Sequence, residues 1–138
     1  MVALFLAILP SFADNRENVI GVWKLVSHDI EVRATGQKES AYGRSPTGYA
    51  IFTAEGRVMF VLTGEGRKPA QTVQDRADLL DSLTAYTGMY RLEGDKRTTK
   101  VDVAWNPAWV GTEQTRFFKL DGNLALHVLM EDLVADFE

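Results

Sequence analysis

A period of two runs through most of this chain, and it restricts the fold more than any other feature. Val22-Trp23-Lys24-Leu25-Val26-Ser27 sets Trp23, Leu25 and Ser27 on one face and Lys24 on the other, the alternation of a half-buried strand. The extended stretch continues through Asp29 to Arg33 and reaches a turn at Thr35-Gly36. Tyr49-Ala50-Ile51-Phe52-Thr53 is rich in aromatic and β-branched residues, and Arg57 to Leu62 returns from it after Ala54-Glu55-Gly56. Strands resume near Tyr86 and end in the turn Glu93-Gly94-Asp95-Lys96. Thr98 to Trp105 sets Thr99, Val101, Val103 and Trp105 against Thr98, Lys100, Asp102 and Ala104. Thr112 to Leu120 is followed by Asp121-Gly122-Asn123, and Asp-Gly between alternating segments is a strong hairpin signal.

Short strands at even spacing indicate a sandwich or an up-and-down barrel. The reading is a mainly β protein: an antiparallel up-and-down barrel of about eight strands with one short helix. The 138 residues fit one domain. A barrel of about eight strands is just wide enough inside for one small ligand. The helix is expected over Thr72 to Thr84, with Val73, Ala77, Leu80 and Thr84 on one stripe, and Asp75, Asp78 and Asp81 on a solvated face. Thr72 with Asp75 three residues on forms an N-terminal cap. Two patterns compete at the C-terminus. Leu124 to Val128 alternates as a strand, while Leu126, Leu129, Met130, Leu133, Val134 and Phe137 fall at helical spacing.

Composition narrows the function classes. The net charge is −4 with no basic block, which argues against nucleic-acid binding. There are no cysteines, so disulfides, thiolate metal sites and thiol nucleophiles are excluded. His28 and His127 are the two histidines, and no His-x-His or His-x-x-x-His pair exists to start a metal site. No nucleophile elbow and no glycine-rich phosphate loop is present. The residues therefore call for no catalytic group, no metal and no cofactor.

Met1 to Ala13 reads MVALFLAILPSFA, an apolar run ending in the small-x-small step Ser11-Phe12-Ala13. It reads as a secretory signal peptide that lacks a basic n-region. It is too short to span a bilayer stably. Residues 14–138 are then the mature domain, periplasmic or secreted, with the cytoplasm as the alternative.

Four segments together carry a family resemblance. They are Ile20-Gly21-Val22-Trp23-Lys24-Leu25-Val26-Ser27, Ser45-Pro46-Thr47-Gly48-Tyr49 through Gly56-Arg57-Val58-Met59, Ala85-Tyr86-Thr87-Gly88-Met89-Tyr90 with its Glu93-Gly94-Asp95 turn, and Asn106-Pro107-Ala108-Trp109-Val110-Gly111-Thr112 through Gln114, Arg116, Phe118 and Asp121-Gly122. In order and spacing the chain resembles the bacterial lipocalin-like domain family, a calycin-type group of small β-barrels. The resemblance implies an apolar interior, with Gly21-x-Trp23 packing the narrow end. It also implies a closing strand with a Trp and a basic residue, where this chain reads Met130-Glu131-Asp132-Leu133-Val134-Ala135-Asp136-Phe137-Glu138. That departure leaves closure of the barrel an open question, and an unclosed barrel has an edge strand that must be covered or paired in a homodimer.

The candidate ligand contacts follow from phase. Gln114, Arg116 and Phe118 share one face, while Glu113 and Lys119 on the other belong in solvent. Arg116 and Gln114 thus point inward. A buried guanidinium stacks on a ring such as Trp23 with its N–H groups on carbonyls, or it orients a ligand. Tyr49, Tyr86 and Tyr90 are read as inward by alternation, and Trp105 and Trp109 flank a turn at the rim. Gly21 is expected to permit a close backbone approach beside Trp23. The leading function is binding of a small apolar or amphipathic molecule through Arg116, Gln114, Tyr90, Tyr49 and Trp105. The alternatives are a cofactor-independent isomerase or cyclase on an apolar substrate, and a filled barrel with a structural or interaction role.

Overall fold

The structure is a computed structural model, and it describes residues 14–32, 35–121, 125–129 and 133–138. The expected leader, Met1 to Ala13, lies outside the described residues.

A short helix α1 (Asp14–Val19) leads into the long strand β1 (Gly21–Val32). There follow β2 (Gln37–Ser40), β3 (Thr47–Phe52), β4 (Arg57–Thr63), helix α2 (Val73–Asp81), β5 (Leu83–Glu93), β6 (Lys96–Ala104), a single 3-10 turn at Pro107–Trp109, β7 (Glu113–Asp121), β8 (Ala125–Leu129) and β9 (Leu133–Phe137). Neighbours in the sheet run β1-β3-β4-β5-β6-β7-β8-β9, all antiparallel, and β9 pairs back onto β1. Eight strands thus close a hydrogen-bonded ring. The ninth, β2, extends the far half of β1 from Asp29↔Ser40 to Val32↔Gln37.

Ring closure answers the question the C-terminal sequence left open. Leu25↔Phe137 through Ile30↔Leu133 join β1 to β9. Reciprocal backbone bonds between Lys24 and Glu138, 2.7 and 2.9 Å, finish the seam. The edge that a homodimer would have covered is already paired. No closing Trp is needed, because Ala135 and Phe137 turn inward (2% and 1% exposed) while Asp136 faces out and accepts a bond from Ser27 Oγ. The ring also decides the C-terminus in favour of strands: a helix there would leave one edge of β1 and one edge of β7 unpaired.

Two β-bulges change the phase of the alternation. In β1, Val26 is extra between Leu25↔Phe137 and Ser27↔Asp136. Trp23 and Leu25 are buried as expected, but beyond the bulge His28 takes the inward place instead of Ser27. In β6, Asp102 is extra opposite Thr87/Gly88. Val101 is buried, yet Val103 is 62% exposed, against its expected phase.

The closed end of the barrel gathers Val19, Trp23, Phe52, Val58 and Tyr90, all buried. Trp23 Nε1 donates to the Val19 carbonyl at 2.8 Å, so α1 is tied to the plug. Gly21 serves a different purpose from the one expected. No described atom lies within 4 Å of where its Cβ would stand, but its φ is +141°, a backbone region that L side chains avoid.

Helix α2 departs from its expected packing. It has no buried residue, and Val73 and Leu80 are 83% and 54% exposed. The interior is filled by strands, so the helix lies over the loops. A reciprocal cap between Thr72 and Asp75 holds its start, and Arg67 bonds to Leu79 O and Ser82 Oγ near its end. Thr72→Ala should therefore cost about 1 kcal/mol locally. Faster hydrogen exchange confined to α2 would register it, and a matching fall in the barrel's own stability would contradict this account.

Candidate functional site

The open end of the barrel holds a cavity of about 210 Å³. Strand alternation builds its walls. Phe60 and Leu62 come from β4, Tyr86 from β5, Ala135 and Phe137 from β9, and His28 from the shifted half of β1. Half-exposed Thr84, Trp105, Trp109 and Arg116 form the rim. Asn106 caps the 3-10 turn by accepting from Ala108 N–H, which sets Trp105 and Trp109 edge-to-face at 4.9 Å. The aromatic wall is continuous: Trp109 lies 5.2 Å from Tyr86, Tyr86 stacks on Phe60 at 5.0 Å, and Phe60 meets Phe137 at 6.2 Å.

Polar groups sit at two places in this apolar wall. One is Arg116. Its guanidinium lies 5.6 Å over the Trp109 ring and donates to Thr115 O at 2.8 Å and Gln114 Oε1 at 3.2 Å. Burial pulls its pKa below the ordinary arginine value; Tyr86 opposes that and Arg97 adds to it. An arginine nonetheless stays charged at neutral pH. Directly across the ladder stands Arg97, 2% exposed. Its guanidinium lies 4.5 Å over Phe60, and Nη2 donates to the Tyr86 hydroxyl at 3.3 Å.

The second polar place is His28, 5% exposed and edge-on to Tyr42 at 4.7 Å. Tyr42 in turn shares a 2.6 Å bond with Thr84 Oγ1. Neither ring nitrogen of His28 has a partner among the described residues. Burial lowers its pKa below 6.5, outweighing the opposite pull of Asp29, so the imidazole is neutral at pH 7. The consequence for stability has a definite sign. The unfolded chain takes up the proton first, so the contribution is complete above the unfolded value and is lost as pH falls below about 6.5. The unfolding free energy from urea titrations should decline from pH 7 to pH 5 by at most ~1.4 kcal/mol per pH unit from this group. His28→Gln should flatten that decline, and an unchanged slope would assign it to other groups.

Residues 20–134 match the family model for the lipocalin-like domain. The chain belongs to the lipocalin-like domain family. The barrel is also similar to the crystal structure of a lipocalin-like protein from Bacteroides uniformis, with a TM-score of 0.52 at 16% identity, covering 88% of this chain and 97% of that one. A second match is an uncharacterized protein from Bacteroides eggerthii, with a TM-score of 0.47 at 14% identity, covering 86% of this chain and 96% of that one. No curated protein matches the chain.

The lipocalin-like cavity brings together some of the expected contacts. Arg116 and Trp105 line it. Gln114 reaches it through its bond to Arg116. Arg116 stacks on a ring as expected, the ring being Trp109 and not Trp23. Tyr90 is inward but at the closed end, edge-on to Phe52 at 5.2 Å with its hydroxyl 3.4 Å from Thr53 O; burial raises its pKa, and nearby Arg16 counters that. Tyr49 is a correction. It is 49% exposed on the outer face, while Ala50 and Phe52 take the inward places. Ala50 sits between its register partners Trp23 and Phe60, and a small residue is what that gap admits. Sequence reasoning missed His28 and Arg97. Arg97 is in phase with Thr99 and Val101, which was a usable signal; His28 became inward through a bulge with no such signal.

Proposed function

We propose that this lipocalin-like barrel binds one small molecule with an apolar body in the cavity at its open end. The observation that carries the reading is the cavity itself: about 210 Å³ walled by Phe60, Leu62, Tyr86, Trp105, Trp109 and Phe137. An apolar cavity of roughly 150 Å³ accommodates benzene, so this one admits a ring or a short chain with a head group. Below roughly 300 Å³ a large drug-sized ligand does not fit. The filled-barrel alternative requires less space than this. The apolar Met1–Ala13 segment supports delivery of the domain to the periplasm or beyond.

The test is native mass spectrometry of protein expressed from the full gene in a bacterial host, joined to calorimetric titration with octanol. Expected are a mass near that of residues 14–138, a small adduct released on denaturation, and heat on adding octanol. An adduct-free protein that also ignores octanol would overturn the binding reading. An unprocessed mass would separately overturn export.

A further inference from the structure

Two like charges face each other inside this barrel. Arg97 and Arg116 are direct partners in the β6–β7 ladder, and opposed residues on one face of a ladder stand close, with Cβ atoms about 5 Å apart. Like charges so placed repel, and burial strengthens the repulsion. A buried cation is ordinarily paired with a carboxylate. Neither arginine has an ion pair among the described residues. The described residues lining the cavity include no Asp or Glu.

The polar inventory is one-sided. Arg97 Nη2 already donates to the Tyr86 oxygen, so the Tyr86 hydroxyl hydrogen is free to point elsewhere. Arg97 Nη1 is buried with no partner among the described residues. Arg116 spends two N–H groups on Thr115 and Gln114 out of the five that a guanidinium carries. His28, also facing the cavity, has two buried nitrogens without partners among the described residues. The described wall thus offers donors and positive charge, and holds no anion to receive them.

We propose that the ligand is a small monocarboxylate, its head group held by Arg116 and the Tyr86 hydroxyl, with Arg97 behind Tyr86 as a positioning residue, and its apolar remainder among Phe60, Trp105 and Trp109. This deepens the binding reading above and rests on it. A carboxylate suits the site better than a phosphate ester. Among the described residues only one guanidinium, that of Arg116, lines the cavity, which matches a single negative charge better than a phosphate dianion. A planar carboxylate also lies naturally along the edge of a guanidinium fork.

The experiment titrates the full chain with octanoate, octanol and octylamine at pH 7.5 by calorimetry, in low and high salt. Octanoate is expected to bind at least about tenfold tighter than octanol, since charge-assisted bonds are roughly twice as strong as neutral ones, and octylamine should bind weakest. Arg116→Gln should lower octanoate affinity by about tenfold or more and so abolish the preference for acid over alcohol. Arg97→Gln is the riskier variant for folding, so the wild-type acid-to-alcohol ratio is the primary reading. Octanol binding as tightly as octanoate would overturn the carboxylate proposal and leave the cavity reading standing. Failure of all three probes would overturn both.

Discussion

Replacing Phe60 with alanine should cost about 3–5 kcal/mol, the range for truncating a buried aromatic. Phe60 is 3% exposed and is the meeting point of the interior. It stacks on Tyr86, sets its edge against Phe52 at 6.0 Å and Phe137 at 6.2 Å, and lies under the Arg97 guanidinium at 4.5 Å. Truncation removes those contacts at once and strips a buried cation of its ring. A domain of this kind has roughly 5–15 kcal/mol in hand, so the melting temperature should fall by roughly 10 °C or more. Urea unfolding followed by tryptophan fluorescence measures the loss. Because Phe60 also lines the cavity, the variant should accept a bulkier apolar probe than the parent. A loss under about 1 kcal/mol would mean that the neighbours collapse into the space and that Phe60 is not the hub described here.

The second large effect is expected at Gly88. This glycine lies in β5 against the bulged part of β6, where a methyl group would overlap the carbonyl oxygen of Lys100 and press on Val101 Cα. Those are backbone atoms within a ladder and cannot swing aside as a side-chain end can. Gly88→Ala should therefore cost about 3 kcal/mol, the upper part of the range for overpacking. It should also disturb Trp105, whose N–H bonds to Ala85 O just beyond the bulge. The reading is the denaturation midpoint together with the near-ultraviolet dichroism of the tryptophans. Gly21 supplies the contrast: alanine there meets no described atom, and its cost would come from φ alone. A Gly88→Ala protein as stable as the parent would show that the two strands can separate without penalty.

Much of the barrel was legible because its strands obey a simple rule. In β4, Val58, Phe60 and Leu62 alternate with exposed Met59 and Val61, and nothing interrupts them. Arg116 was legible for the same reason, since Glu113 and Lys119 fix the outer face of β7. The rule fails where both faces are apolar. Tyr49 and Ile51 compete with Ala50 and Phe52, and the choice is made by Trp23 and Phe60 on the neighbouring strands. It fails again at α2, whose apolar stripe suggests burial in an interior that the strands have already filled. The C-terminus could not be read locally at all. What makes residues 133–137 a strand is the vacant edge of β1, a partner more than a hundred residues away in sequence.

Val26 illustrates how position can matter more than identity. It is half-exposed, and its side chain contributes little to the interior, yet its presence advances every later residue of β1 by one place. Were Val26 paired in regular register instead of bulging, the plug at Trp23 and Leu25 would stay and the strand above would reverse: Ser27 would turn toward the cavity and His28 toward solvent. The lower half of β1 answers to the fixed register with β3, and the upper half to β9 and β2. The strand therefore behaves as two segments joined by a counting device. Deleting that one valine would remove the bulge and keep His28 inward, two places after Leu25, so the mouth tolerates the loss of Val26 but not a regular pairing that retains it.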